Sequence, residues 1–233
     1  MASVFARSGR LHIPGFLVPE AADALYQTLE AERLWVCSTI GKGVVADVPV
    51  EALYALSEEE QARFITLAHA EAAEGFHYLF DTVRILGFQD RDAPLAPGYR
   101  ALARFLNSPA FLDFVRVLTG DDRPAFVDAQ ATRYRPGHYL TEHNDTHPRN
   151  SRLYAYVLNL TPFWRPDWGG LLNFIDEDGH LAEAYKPSFN ALNIFRVPQQ
   201  HSVGFVAPFA RGARLSVTGW IHDRLPDPVS SST

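Results

Sequence analysis

The stretch Tyr134-Arg-Pro-Gly-His-Tyr139-Leu-Thr-Glu-His143-Asn-Asp145 opens a half-chain in which strand-like runs follow one another without a helix pattern between them. Residues 125–134, 139–144, 153–160, 170–175, 191–195, 202–206 and 214–221 are rich in β-branched and aromatic residues, and turn residues separate them. Short strands at this spacing predict an antiparallel sandwich or barrel.

Working outward, the texture changes near Gly120-Asp121-Asp122, and helices dominate before that point. Residues 19–33 begin with proline in the first turn and set Ala21, Leu25 and Leu29 four apart. Residues 57–73 open on the capping box Ser57-x-x-Glu60, ahead of Phe64, Leu67 and Ala68. Ser108-Pro109 reads as an N-cap with proline behind it, starting a helix that runs through Val117 and stops at Gly120. Strands are expected at 11–16, 34–40 and 76–85, while 38–48 and 87–97 read as long polar loops able to cover a site. The expected organisation is one domain over 1–233: a helical and mixed support region at 1–123, a β core at 124–224, and a frayed tail at 225–233.

The composition, 47% hydrophobic and 21% charged over 233 residues, supports a sizeable buried core and argues against disorder or a membrane protein. A net charge of −6 without a dense basic patch disfavours nucleic acid as a partner. Cys37 is the single cysteine, which excludes an intrachain disulfide, a multi-cysteine zinc site and a cysteine-held iron–sulfur cluster. Any metal falls to histidine and carboxylate. No apolar run approaches the roughly 18 residues of a membrane span, and a cytoplasmic location is expected.

His143-Asn144-Asp145 is a His-x-Asp triplet, and at a strand end the period of two turns both side chains to one face. Chance alone supplies about 0.6 such triplets in a chain with this composition, so the triplet needs company. His201 supplies it from a strand-like stretch, although a hydrogen-bonded core histidine is the competing reading. Two histidines and one carboxylate on one face of an octahedral ion leave open positions, the arrangement of non-haem Fe(II) oxygenases. Closing the loop from Asp145 to His201 costs about 3.6 kcal/mol, so a rigid scaffold must hold the third ligand. Arg214 alternates with Ser216 and Thr218 against Leu215 and Val217, which points its guanidinium into the barrel, where it needs an anion. That anion is either a ligand carboxylate or one of the chain's own acids.

These motifs, with Leu160-Thr-Pro-Phe-Trp-Arg-Pro-Asp-Trp168-Gly169-Gly170 and Arg214-Leu-Ser-Val-Thr-Gly-Trp220, resemble the Fe(II)/2-oxoglutarate-dependent dioxygenases. Within them the likeness is to the prolyl-4-hydroxylase-like group, especially the ribosomal prolyl hydroxylase branch, and it covers residues 125–222. The resemblance implies a double-stranded β-helix, or jelly roll, with N-terminal supporting helices. It implies His143, Asp145 and His201 as both the metal ligands and the catalytic centre. Arg214 then grips the distal carboxylate of 2-oxoglutarate beside Tyr134, with Ser216, Tyr139 and Trp220 as further cosubstrate contacts. The implied cofactors are Fe(II), 2-oxoglutarate and O₂, with ascorbate stimulatory, and the implied reaction hydroxylates a prolyl residue of a peptide or protein, releasing succinate and CO₂. The family often carries a second cosubstrate tyrosine where this chain has Val157.

Rival readings are a hydroxylase of a free amino acid or small molecule, a nucleic-acid demethylase of the same superfamily, and a non-catalytic cupin-type binding barrel. A zinc hydrolase is disfavoured, since Pro136, Gly137 and Pro148 break any helix that could present His143 and His147 together. His147, followed by proline, reads as a loop residue and not a ligand, and Trp168-Gly169-Gly170 as a packing device.

Overall fold

The computed structural model describes residues 1–87, 95–146 and 151–225. His147, most of segment 87–97 and nearly all of the expected tail lie outside the described residues. The first half runs α1 (Ala2–Ser8), β1 (Arg10–Pro14), α2 (Pro19–Ala31), β2 (Val36–Gly41), β3 (Val44–Pro49), α3 (Val50–Tyr54), α4 (Glu58–Ala72), β4 (Tyr78–Leu86), α5 (Pro97–Leu106) and α6 (Pro109–Thr119). The second half runs β5 (Phe126–Val127), β6 (Ala129–Tyr134), β7 (Tyr139–His143), β8 (Arg152–Asn159), β9 (Leu172–Ile175), β10 (Leu181–Tyr185), β11 (Ala191–Arg196), β12 (His201–Val203) and β13 (Arg214–His222), with one 3-10 turn at Pro166–Trp168. No helix among the described residues is long and apolar enough to cross a membrane.

The strands hydrogen-bond in the order β1-β11-β8-β13-β6-β4-β7-β12-β9-β10, every pair antiparallel. β4 joins the two layers, pairing β6 through Asp81–Leu86 and β7 through Tyr78 and Leu79. The two ends of the path meet through side chains, Arg10 of β1 against Glu183 of β10 at 2.7 Å. The result is the expected jelly roll, a nearly closed antiparallel barrel.

Alternation along β13 sets the layers. Leu215, Val217 and Ile221 face outward into the main core, with Leu25, Leu29, Leu102, Phe111 and Val115 from the helices. Arg214, Thr218 and Trp220 border the barrel interior.

The helix starts follow their sequence signals: Ser57 and Glu60 form both halves of the capping box, Ser108 caps α6, and Gly120 closes it at φ 67°. Segment 38–48 is a correction. It is a paired hairpin of β2 and β3, turning at Lys42 and Gly43, both with positive φ, as a two-residue type I′ connection requires. Ser38 and Val45 of that hairpin do border the interior cavity. β10 went unread because Leu-Ala-Glu-Ala-Tyr, an exposed edge strand, carries no β-branched residue. The Trp168-Gly169-Gly170 segment packs: Trp168 is edge-on to Trp164 at 5.2 Å, and Gly169, at φ 70°, lies so close to the Phe205 carbonyl that a Cβ would collide with it.

Candidate metal centre

His143 ends β7 and His201 begins β12, and the antiparallel ladder sets them directly opposite each other. This register solves the loop-closure problem, since strand pairing holds the third ligand without any ion. Asp145 reaches the pair by a route other than strand alternation: β7 stops at His143, and Asp145 takes a left-handed φ of 62° that swings its carboxylate back. Aspartate tolerates that region better than most residues, and strain of this kind collects at functional sites.

The ligand atoms of His143, Asp145 and His201 all lie within 4.8 Å of one another. His143 Nε2 is 3.5 Å from Asp145 Oδ1, and His201 Nε2 is 3.5 Å from Asp145 Oδ2. Each imidazole donates its Nδ1–H to the backbone carbonyl two residues earlier, Thr141 at 2.9 Å and Gln199 at 2.8 Å. Those bonds fix the tautomer and aim both Nε2 lone pairs at the shared point, as ligating histidines require. Burial, and next the neighbouring imidazole, pushes His201 down to about 4. Burial alone would raise the Asp145 carboxyl, but the two imidazoles help to override it and hold it below the ordinary value. Two imidazole nitrogens and one carboxylate on a shared point are a donor set that suits Fe(II).

The triad opens into a cavity of 590 Å³ that also meets Tyr134, Val157, Arg214 and Trp220. Arg214 is 1% exposed, and its Nε and Nη1 have no hydrogen-bond partner among the described residues. Its guanidinium sits 5.1 Å from the centre of the Tyr134 ring, which stacks on Phe80. A desolvated cation with donors that meet no acceptor among the described residues fits a carboxylate ligand, and no described acid of the chain pairs with it.

The remaining expected contacts divide. Trp220 borders the cavity; Ser216 is fully buried behind Thr132, their hydroxyl oxygens 2.8 Å apart, and only Thr132 borders the space. Tyr139, expected in the cavity, does not border it. Its hydroxyl donates to the Ala68 carbonyl at 2.8 Å and meets His77 Nδ1 at 2.9 Å. Arg152 was not foreseen. Its guanidinium stacks 3.5 Å from the centre of the Trp220 ring and donates Nη1–H to the Asp145 carbonyl at 3.3 Å.

Residues 129–222 match the sequence model of the 2OG-Fe(II) oxygenase superfamily. The triad residues and Arg214, four positions, all fall inside the matched stretch. Prolyl 3-hydroxylase OGFOD1 of Mus musculus is 30% identical over 119 residues, 48% of this chain and 21% of that protein, so the chain aligns with a minor part of the mouse relative. The chain is also similar in fold to a prolyl-4-hydroxylase of Pseudomonas putida, with a TM-score of 0.60 at 18% identity, covering 96% of this chain and 97% of that one. A Trichoplax adhaerens prolyl hydroxylase, solved with a hypoxia inducible factor oxygen degradation domain peptide fragment, gives a TM-score of 0.61 at 14% identity over 95% and 87%.

Proposed function

We propose that this chain is an Fe(II)- and 2-oxoglutarate-dependent dioxygenase that hydroxylates a prolyl residue of a peptide or protein. The single observation that carries the oxygenase reading is one cavity holding both a pre-oriented His-Asp-His set and a buried guanidinium with free donors. Fe(II), held by the triad, would supply O₂ activation and the oxidative decarboxylation of 2-oxoglutarate to succinate and CO₂. The chain's own residues bind and orient. His143 and His201 present Nε2, Asp145 one negative charge, and Arg214 a planar fork for the far carboxylate of 2-oxoglutarate. Tyr134 and Phe80 wall the guanidinium off from water, which strengthens that ion pair.

The prolyl substrate is supported by the activities of the mouse and bacterial relatives, and a peptide by the complex of the Trichoplax enzyme. Flat apolar surfaces for a pyrrolidine ring are present at the cavity, among them Trp220, Tyr78 and Phe76. Anaerobic addition of Fe(II) and 2-oxoglutarate is expected to give a visible charge-transfer band, whose absence would dismiss the oxygenase reading. Proline-containing peptides, free proline and methylated nucleobases are then incubated with the protein, Fe(II), ascorbate and 2-oxoglutarate. Gain of one oxygen atom on a peptide proline is the expected product, and demethylation of nucleobases with no proline product would replace the substrate assignment.

A further inference from the structure

Behind the Trp220–Arg152 face of the cavity lies a buried histidine–carboxylate pair that the proposed chemistry does not use. His222, fully buried at the end of β13, donates Nε2–H to Asp128 Oδ2 at 3.1 Å, and its Nδ1 lies 2.9 Å from Ser151 Oγ. The carboxylate is a pure acceptor and puts a proton on Nε2, while the Ser151 hydroxyl bonds Nδ1 on the other side of the ring. The order Asp-His-Ser has the look of a hydrolase triad, but all three residues are buried and none borders the cavity. No substrate reaches that hydroxyl.

Both ends of the chain of bonds are tied to the cavity wall. Asp128 sits in the break between β5 and β6, where its side chain can turn toward β13. Its Oδ1 accepts the Trp220 backbone N–H at 2.6 Å, its own N–H donates to the Trp220 carbonyl at 3.1 Å, and its carbonyl accepts the Tyr156 hydroxyl at 2.9 Å. Gly219 is required alongside, because a Cβ there would strike the Asp128 carbonyl and carboxylate. At the other end, Ser151 immediately precedes Arg152, and the Ser151 carbonyl accepts the Asp223 N–H at 3.0 Å. The β8–β13 pairing skips register just here, passing over Leu153 between Ile221 and His222, so that His222 itself is the ladder partner of Arg152.

We propose that Asp128, His222 and Ser151 are positioning residues, a buried clamp across β6, β13 and β8 that holds the Arg152–Trp220 stack against the backbone of Asp145. The inference rests on the oxygenase reading only in calling that stack part of an active site. A clamp and ordinary core cohesion predict different things when one hydroxyl is removed. Cohesion alone lowers the melting temperature. A clamp also frees Arg152 and changes the surroundings of the Trp220 indole.

The test uses the metal-free protein, so failure of the iron or substrate assignment cannot masquerade as failure here. The Trp220 indole N–H resonance is assigned by its loss in Trp220→Phe, and Arg152→Gln gives its position without the stacked cation. Ser151→Ala is expected to move the resonance toward the Arg152→Gln position, and Ser151→Thr, which keeps the hydroxyl, to restore it. Should the alanine variant not fold, Ser151→Cys substitutes a weaker donor of similar size and is expected to move the resonance in the same direction. A wild-type resonance in a folded Ser151→Ala or Ser151→Cys variant, with only a lowered melting temperature, overturns the proposal.

Discussion

Arg133 and Tyr134 are neighbours on β6 that face opposite sides of the sheet, and each stands beside a buried charge treated in a different way. On the outer side Asp81 is completely buried, yet it accepts from Arg133 Nε at 2.8 Å and from Arg135 Nε and Nη2 at 2.7 and 3.0 Å. The two guanidiniums are occupied as well, Arg133 over the Trp35 ring at 4.6 Å and Arg135 on the Tyr54 hydroxyl at 3.1 Å. On the inner side Arg214, opposite Tyr134 in the ladder, is just as buried and has two donor atoms without acceptors among the described residues. Both centres carry the desolvation cost of a buried ion; the first recovers it within the chain, and the second only when a ligand arrives. A closed charge centre serves stability, and an open one marks a binding site.

The largest effect is expected at the metal end of the open centre. Asp145→Ala removes the only anion of the ligand set, so succinate formation should fall to the background of a reaction without protein, while the metal-free barrel stays folded because apolar burial holds it. Undiminished turnover in that variant would remove Asp145 from the ligand set. At the other end, Arg214→Ala should weaken 2-oxoglutarate by about 2–5 kcal/mol, roughly 30-fold to several thousandfold, as read by titrating the charge-transfer band. Lysine should restore part of the affinity, since it keeps the charge and loses the fork. The melting temperature of metal-free Arg214→Ala should change little, because the cavity it opens is offset by losing an unpaired buried cation.

The closed centre should answer in reverse. Asp81→Ala leaves Arg133 and Arg135 facing each other without their shared anion, and a loss of about 3 kcal/mol is expected in urea unfolding. The loss lies at the low end for a broken buried pair because those guanidiniums keep 22% and 24% of their side-chain exposure. Its 2-oxoglutarate affinity should match the wild type. If Asp81→Ala lost affinity and kept its stability, the distinction between the two centres would collapse.

How much of this was legible beforehand follows from the same strands. The alternation of Arg214-Leu-Ser-Val-Thr placed the guanidinium inside because β13 pairs regularly with β6 throughout that run. His143, Asp145 and His201 were legible as residue types, but their convergence depends on a strand register and a left-handed φ that no spacing encodes. The misplaced Tyr139 and the unforeseen Arg152 have one cause. β12 pairs His201 with His143 and then Val203 with Leu140, an irregular step that breaks the parity between Tyr139 and His143. The skip between β8 and β13 does the same beside Arg152. Period-two reasoning holds until the first bulge and inverts after it.

His138 adds a third way of handling a buried ionisable group, and with it the smallest of the expected effects. It is 1% exposed at the fringe of the closed centre; burial, opposed by Asp81 and reinforced by Arg135, brings its imidazole down to about 4. Here the group avoids the desolvation cost by staying neutral. As pH falls, the unfolded chain takes up a proton near the ordinary histidine value of about 6.5 before the folded chain does. The contribution of His138 to stability is therefore complete above about pH 6.5 and is lost progressively down to pH 4, roughly 3 kcal/mol at most. His201, lowered to about 4 as well, adds to the same slope in the metal-free protein. His138→Leu should thus flatten the fall of unfolding free energy across that window by about half, measured by urea unfolding at a series of pH values, and leave 2-oxoglutarate affinity at neutral pH unaltered. An unchanged slope would mean that His138 is protonated in the folded state with the help of Asp81, which would make it a member of the closed charge centre instead of a neutral neighbour to it.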